Sequence, residues 1–132
     1  MKFNESFSDS DHHISGYGPE GVTVLNRRHP YHLIVSRELI QTWQINGLSD
    51  LNQQTLQTIL DLKPEVVILG TGDKQIFPPM EIMALFAQQR IGFEVMSTSA
   101  ACRTYNILLS EDRHVVAALI LDNPIQEAET GS

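Results

Sequence analysis

The hydrophobic positions of this chain fall into two kinds of segment. Some are short apolar runs; others are longer stretches whose apolar residues recur every three or four positions. Val22-Thr23-Val24-Leu25 and Tyr31-His32-Leu33-Ile34-Val35 have strand character, and the turn at residues 26–30 between them predicts a hairpin. Ahead of them, Gly16-Tyr17-Gly18-Pro19-Glu20-Gly21 reads as a turn-rich opening. Residues 1–13, polar and containing Asp9, Asp11, His12 and His13, read as a loose arm. Residues 36–47 show no settled period, and Trp43 is expected to anchor them to the core. Asp50 and Gln53 have the spacing of a helix-start capping pair. Leu56, Ile59 and Leu60 then share a helical face, and Pro64 ends that helix because proline lacks the N–H that would continue it.

The second half is more regular. Val66-Val67-Ile68-Leu69 predicts a buried strand that runs into Gly70-Thr71-Gly72-Asp73. Pro78-Pro79 suit the start of a helix whose stripe is Met80, Met83, Ala84 and Ala87, with Gly92 at its exit. Phe93-Glu94-Val95-Met96 is a strand, residues 100–109 a helix, and residues 115–121 a last strand. That last run is apolar throughout, as expected of a strand covered on both faces. Residues 122–132 turn polar and read as a tail. The order ββ-α-β-α-β-α-β argues for one layered α/β domain with its folded core over residues 14–121. Val66 through Met96 should form a right-handed parallel crossover. The final strand, close behind its helix, could run either way.

Composition bounds what such a domain does. The 132 residues are enough for one buried core, with 42% hydrophobic and 19% charged residues suiting an ordinary globular protein. A net charge of −7 works against binding nucleic acid or an anionic membrane. Cys102 is the only cysteine, which excludes an intramolecular disulfide framework and any CxxC motif. No apolar run is long enough to span a bilayer, and the N-terminus has neither a secretory apolar core nor an Arg-rich presequence. A cytoplasmic protein is expected.

The candidate chemistry lies where the two similar strand-to-helix junctions would open at one sheet edge, the place where α/β domains bind ligands. Gly70-Thr71-Gly72 is not a dinucleotide fingerprint, because Gln75 stands where the third glycine belongs, and no Walker lysine follows. The glycines are expected to let the strand turn sharply, with Asp73 and Lys74 at the mouth of the crevice. One hydroxyl of Ser97-Thr98-Ser99 should cap the following helix. Free N–H groups at that helix start, with Arg103, could hold a carboxylate, phosphate or sulfate. Arg103 could equally pair with Asp73 or Glu94. Cys102 could be an activated thiol or a small apolar filler beside Ala100 and Ala101. Tyr105 and Asn106 could line the same cleft or simply pack. The candidate crevice is thus Thr71, Gly72, Asp73, Ser97, Thr98, Cys102, Arg103 and Tyr105. No metal-ligand spacing, catalytic dyad or cofactor fingerprint accompanies it, so neither a metal nor a cofactor is expected.

Gly16-Tyr17-Gly18-Pro19 with Gly21-Val22, the lone Trp43, Ile68-Leu69-Gly70-Thr71-Gly72, and Glu94-Val95-Met96 through Ala101-Cys102-Arg103-Thr104-Tyr105-Asn106 together resemble a known family. It is a widespread bacterial and archaeal family of small domains of unknown function. It also includes the mitochondrial respiratory complex I assembly factor 3 and the adipogenesis-associated domain protein of animals. The resemblance covers residues 14–121. It implies a three-layer β+α/β/α fold with a mixed sheet whose final strand is antiparallel to the others. The family usually carries a glycine in the turn before Ala-Cys-Arg, where this chain has Ser97-Thr98-Ser99. No catalytic mechanism comes with the resemblance. It points to a bacterial stand-alone member that binds protein partners as a non-enzymatic assembly factor. The alternative is an anion-binding domain or enzyme using the 70–73 and 97–103 crevice.

Overall fold

Successive side chains of the central strands are buried against two different cores in turn, and that alternation builds three layers. In the computed structural model, which describes residues 11–125, five strands form one mixed sheet. These are β4 (Leu33–Val35), β5 (Ile40–Thr42), β6 (Val66–Thr71), β7 (Gly92–Met96) and β8 (Val115–Ile120), in the order β5-β4-β8-β6-β7. Leu33, Val35, Val66, Ile68, Val115, Ala117 and Leu119 face one core; Ile34, Val67, Leu69, Val116, Ala118 and Ile120 face the other. A period of two with both faces apolar is what a central strand requires.

The first core is closed by a three-stranded sheet, β1 (Ile14–Gly18), β2 (Gly21–Val24) and β3 (Arg27–His29), beside a helix at Thr98–Ser110. The second is closed by Trp43, Ile45 and Leu51, by the short helix α1 (Gln57–Asp61), and by α2 (Met80–Gln88); Thr98–Ser110 is then α3. This is the three-layer β+α/β/α arrangement expected of the chain. β6 and β7 pair in parallel from Val66↔Gly92 to Gly70↔Met96 across the α2 crossover, as the sequence predicts.

Several local expectations change. The last strand is not antiparallel to the others: β8 runs parallel to β6 and antiparallel only to β4, which is itself the reversed strand of the sheet. The residue 31–35 run does not form a hairpin with residues 22–25. β2 pairs with β1 and β3, and β4 joins the other sheet beside β8. Asp50 does not cap α1. It ends a 3₁₀ turn (Leu48–Asp50) and accepts the Asn46 N–H, while Asn52 and Thr55 bond reciprocally before the helix begins. Helix α2 buries Ile82 and Phe86 rather than the expected stripe of Met80, Met83, Ala84 and Ala87, of which only Met83 packs in part against the core; Phe86 stacks on Phe93 of β7 at 4.2 Å between ring centroids. Its exit is Arg90, at φ 59°, and Gly92 already belongs to β7.

At the ends of the described chain, residues 11–13 are held against the domain. Asp11 is buried and pairs with Arg37, whose other nitrogen donates to the Leu109 carbonyl. The rest of the expected arm, and residues 126–132 of the tail, lie outside the described residues.

Candidate functional site

The two similar junctions do meet at the carboxyl edge of the parallel strands, and backbone packing explains how. A side chain at Gly70 would bring its Cβ within 2.9 Å of the Thr98 Cα and 3.1 Å of the Ala101 Cβ. Gly70 therefore lets α3 seat directly on β6, which is a packing role and not the sharp turn expected of it. The turn belongs to Gly72, at φ 97°, whose missing Cβ leaves room for the Asp122 carboxylate.

The hydroxyls at this edge are consumed internally. Ser97 caps α3 by accepting the Ala100 N–H. Thr98 is fully buried: its Oγ1 accepts the Gly72 N–H at 2.7 Å and donates to the Ile120 carbonyl at 2.6 Å. Its own N–H donates to the Gly72 carbonyl at 2.8 Å, so one residue ties the ends of β6 and β8 to the start of α3. Thr71 Oγ1 donates to the Lys74 carbonyl and accepts the Ile76 N–H at 3.0 Å.

The rest of the motif fastens the first layer. Tyr105, fully buried, donates its hydroxyl to the His12 carbonyl at 2.7 Å. Asn106 takes both backbone groups of Ile14, accepting its N–H at 2.8 Å and donating to its carbonyl at 2.7 Å. Cys102 is buried in the core between α3 and the sheets, and burial pushes its thiol up to about 12 despite the neighbouring Arg103. The guanidinium of Arg103 pairs with neither Asp73 nor Glu94; it donates to Ser99 Oγ at 2.8 Å.

Two adjoining depressions remain open, sharing Tyr17 and Ser99. One, about 350 Å³, is lined by Tyr17, Pro19, Asp73, Ser99, Asp122 and Asn123. The other, about 230 Å³, lies over Gly16, Cys102, Arg103 and Asn106. Asp73 and Arg103 thus fall in separate depressions. Asp73 donates its N–H to Asp122 Oδ2 at 3.1 Å, and Asp122 raises the Asp73 carboxyl through a side-chain hydrogen bond and like-charge repulsion. Burial, then these two carboxylates, raises Tyr17 as well. A wall with two acids and a phenol suits a cation better than the anion the helix start suggested. A larger cavity, about 550 Å³, lies at the opposite sheet edge by Ser36, Arg37, Leu62 and His114, where Arg37 is already engaged.

One feature of this edge escaped the sequence reading. From Gly72 to the first residue of α2 the chain presents Ile76, Phe77 and Met80 to solvent, 51%, 63% and 84% exposed. The loop is nonetheless fixed. Gln75 Nε2 donates to the Val95 carbonyl at 2.9 Å, Ile76 N–H to Thr71 Oγ1, and Pro78 is buried. The signal in the sequence is the apolar pair Ile76-Phe77 just ahead of the helix entry at Pro78-Pro79, a pair to which the pattern of elements assigns no role.

A profile of the family described as "Protein of unknown function (DUF498/DUF598)" matches residues 14–120. A Francisella tularensis protein named 13 kDa major membrane protein is 34% identical over 92 residues, 70% of this chain and 75% of that one. The NADH dehydrogenase (ubiquinone) 1 alpha subcomplex assembly factor 3 of Xenopus tropicalis is 33% identical over 89 residues, 66% of this chain. The match covers 48% of that assembly factor, so this chain spans about half its length. Among solved structures, a Bordetella parapertussis protein superposes with a TM-score of 0.80 at 32% identity, covering 86% of this chain and 98% of that one.

Proposed function

We propose that this chain, which belongs to the DUF498/DUF598 family of proteins of unknown function, is a non-enzymatic protein-binding factor of the assembly type. The observation that carries this reading is the Ile76–Phe77–Met80 ledge: three large apolar side chains held in solvent by a loop that internal hydrogen bonds prevent from folding back. Clustered exposed apolar surface on a fixed loop marks an interaction site. The assembly-factor name carried by relatives such as the Xenopus tropicalis protein agrees with it. The crevice supports an enzymatic or anion-binding role less well, because Thr71, Ser97 and Thr98 spend their hydroxyls on the backbone and Asp73 and Asp122 line the open space. No helix among the described residues is long and apolar enough to cross a membrane. In this reading the protein meets its partners from the cytoplasm.

The test is affinity purification from the source organism with three baits: the unchanged protein, Phe77→Ser/Met80→Ser, and Ile107→Ser. Ile107 is 56% exposed on α3 and controls for loss of any exposed apolar residue. Proteins retained by the unchanged bait and by Ile107→Ser should disappear with the ledge variant. An identical set from all three baits would refute the reading.

A further inference from the structure

Acidic residues flank the ledge along the chain, and from that pairing we infer that the partner segment it takes is a basic amphipathic one, with apolar residues on one side and Lys or Arg beside them. The inference rests on the protein-binding reading above and adds the chemistry of the partner. The apolar centre is Ile76, Phe77 and Met80. Asp73 precedes it in the same loop, Glu81 follows it in the first turn of α2, and Asp122 lies against the Asp73 backbone; all three are exposed. Lys74 is the only basic residue from Thr71 to Gln89. Asp73 and Asp122 already repel one another, and a partner cation placed beside them relieves that repulsion.

Charge complementarity selects among occupants of an apolar surface. A second copy of this chain on the same patch would set one acidic flank against another. An anionic bilayer meets both the flank and the net charge of −7. A segment with apolar anchors and flanking ammonium or guanidinium groups satisfies both features at once. The loop needs no reordering to receive it, since Gln75, Ile76 and Pro78 already hold it.

The probes are two short synthetic peptides of one helical pattern, Leu on one face and either Lys or Glu on the other, with phosphatidylglycerol vesicles as a third arm. Binding is followed by calorimetry, and amide NMR shifts of the unchanged protein locate the contact. The Leu/Lys peptide should bind at least about tenfold tighter than the Leu/Glu peptide and perturb residues 73–84. Phe77→Ser/Met80→Ser should weaken it by about tenfold or more, as loss of buried apolar area requires. Asp73→Asn/Glu81→Gln should weaken it roughly threefold and flatten its salt dependence. Circular dichroism and melting confirm that each variant folds; the shift map of the unchanged protein stands independently of them. Leu/Lys binding that is unchanged in the ledge variant, shifts confined elsewhere, equal affinity for the Leu/Glu peptide, or tighter binding to vesicles would each overturn the inference. If the peptide fails while ledge-dependent partners still co-purify, the inference falls and the protein-binding reading stands.

Discussion

Replacing Thr98 by valine tests the claim that this residue is structural and not part of a ligand site. Valine matches threonine in shape, so the change removes the hydroxyl and little else. In the folded protein that hydroxyl is the partner of the Gly72 N–H at 2.7 Å and of the Ile120 carbonyl at 2.6 Å, with no solvent exposure. Each bond contributes about 1 kcal/mol net, and a buried group stranded without a partner costs about 1–3 kcal/mol. Two stranded groups therefore predict a loss of about 2–5 kcal/mol. That is a large part of the roughly 5–15 kcal/mol available to a domain. Thr98→Ser keeps the hydroxyl and gives up one methyl, for about 1 kcal/mol. Urea unfolding of the three proteins, read by Trp43 fluorescence with the slope held common, measures the difference. At this chain length each kcal/mol shifts the melting midpoint by roughly 3–5 °C, so valine should lower it by about 6–25 °C and serine by only a few degrees. Stability of the valine protein within about 0.5 kcal/mol of the serine protein would refute the reasoning and return Thr98 to the list of groups free for a ligand.

Other outcomes follow from neighbouring residues. Gly70→Ala should destabilise by about 1–3 kcal/mol, since the new Cβ would lie 2.9 Å from the Thr98 Cα and the helix backbone must shift; thermal melting checks it. Cys102, with its thiol raised to about 12 by burial, should resist labelling in the native protein at pH 8 and react readily once unfolded; fast native labelling would contradict its place in the core. Asn106→Leu removes both bonds to Ile14 and should raise hydrogen exchange over residues 12–18 well above that of β6 and β8. His32 is buried and accepts the Leu121 N–H at its Nδ1, and burial lowers its pKa, although the Asn46 backbone opposes the shift. The unfolded chain therefore takes up this proton before the folded one does. Its contribution is complete above about pH 6.5 and is lost as the pH falls from there toward the lowered folded value. His32→Asn should flatten the stability profile as the pH falls below about 6.5; an unchanged slope would show that the proton is taken up elsewhere.

By itself the sequence determined the central frame of this protein. Val66–Leu69 and Val115–Ile120 are apolar at every position, as a strand covered on both faces requires. A cap within Ser97-Thr98-Ser99 and the crossover to β7 follow from local signals of the same kind, while the three layers were implied by the family resemblance. Tertiary structure decided the remainder, because the competing choices cost nearly the same locally. β2 and β4 have similar letters; their partners differ because β4 pairs with β8, over eighty positions away in the chain, once β8 has filled the sheet centre. Helix α2 carries Met80, Ile82, Met83, Leu85 and Phe86 on several sides, so the stripe read from periodicity competed with another, and the stack of Phe86 on Phe93 chose the face with Ile82 and Phe86. That choice is what leaves Met80 in solvent beside Phe77. At the sheet edge the sequence placed hydroxyls, an arginine and two glycines in one neighbourhood, but side-chain direction was not in it. Whether Thr98 faces a ligand or the ends of two strands depends on how closely α3 approaches β6, and Gly70 sets that distance only when both are packed.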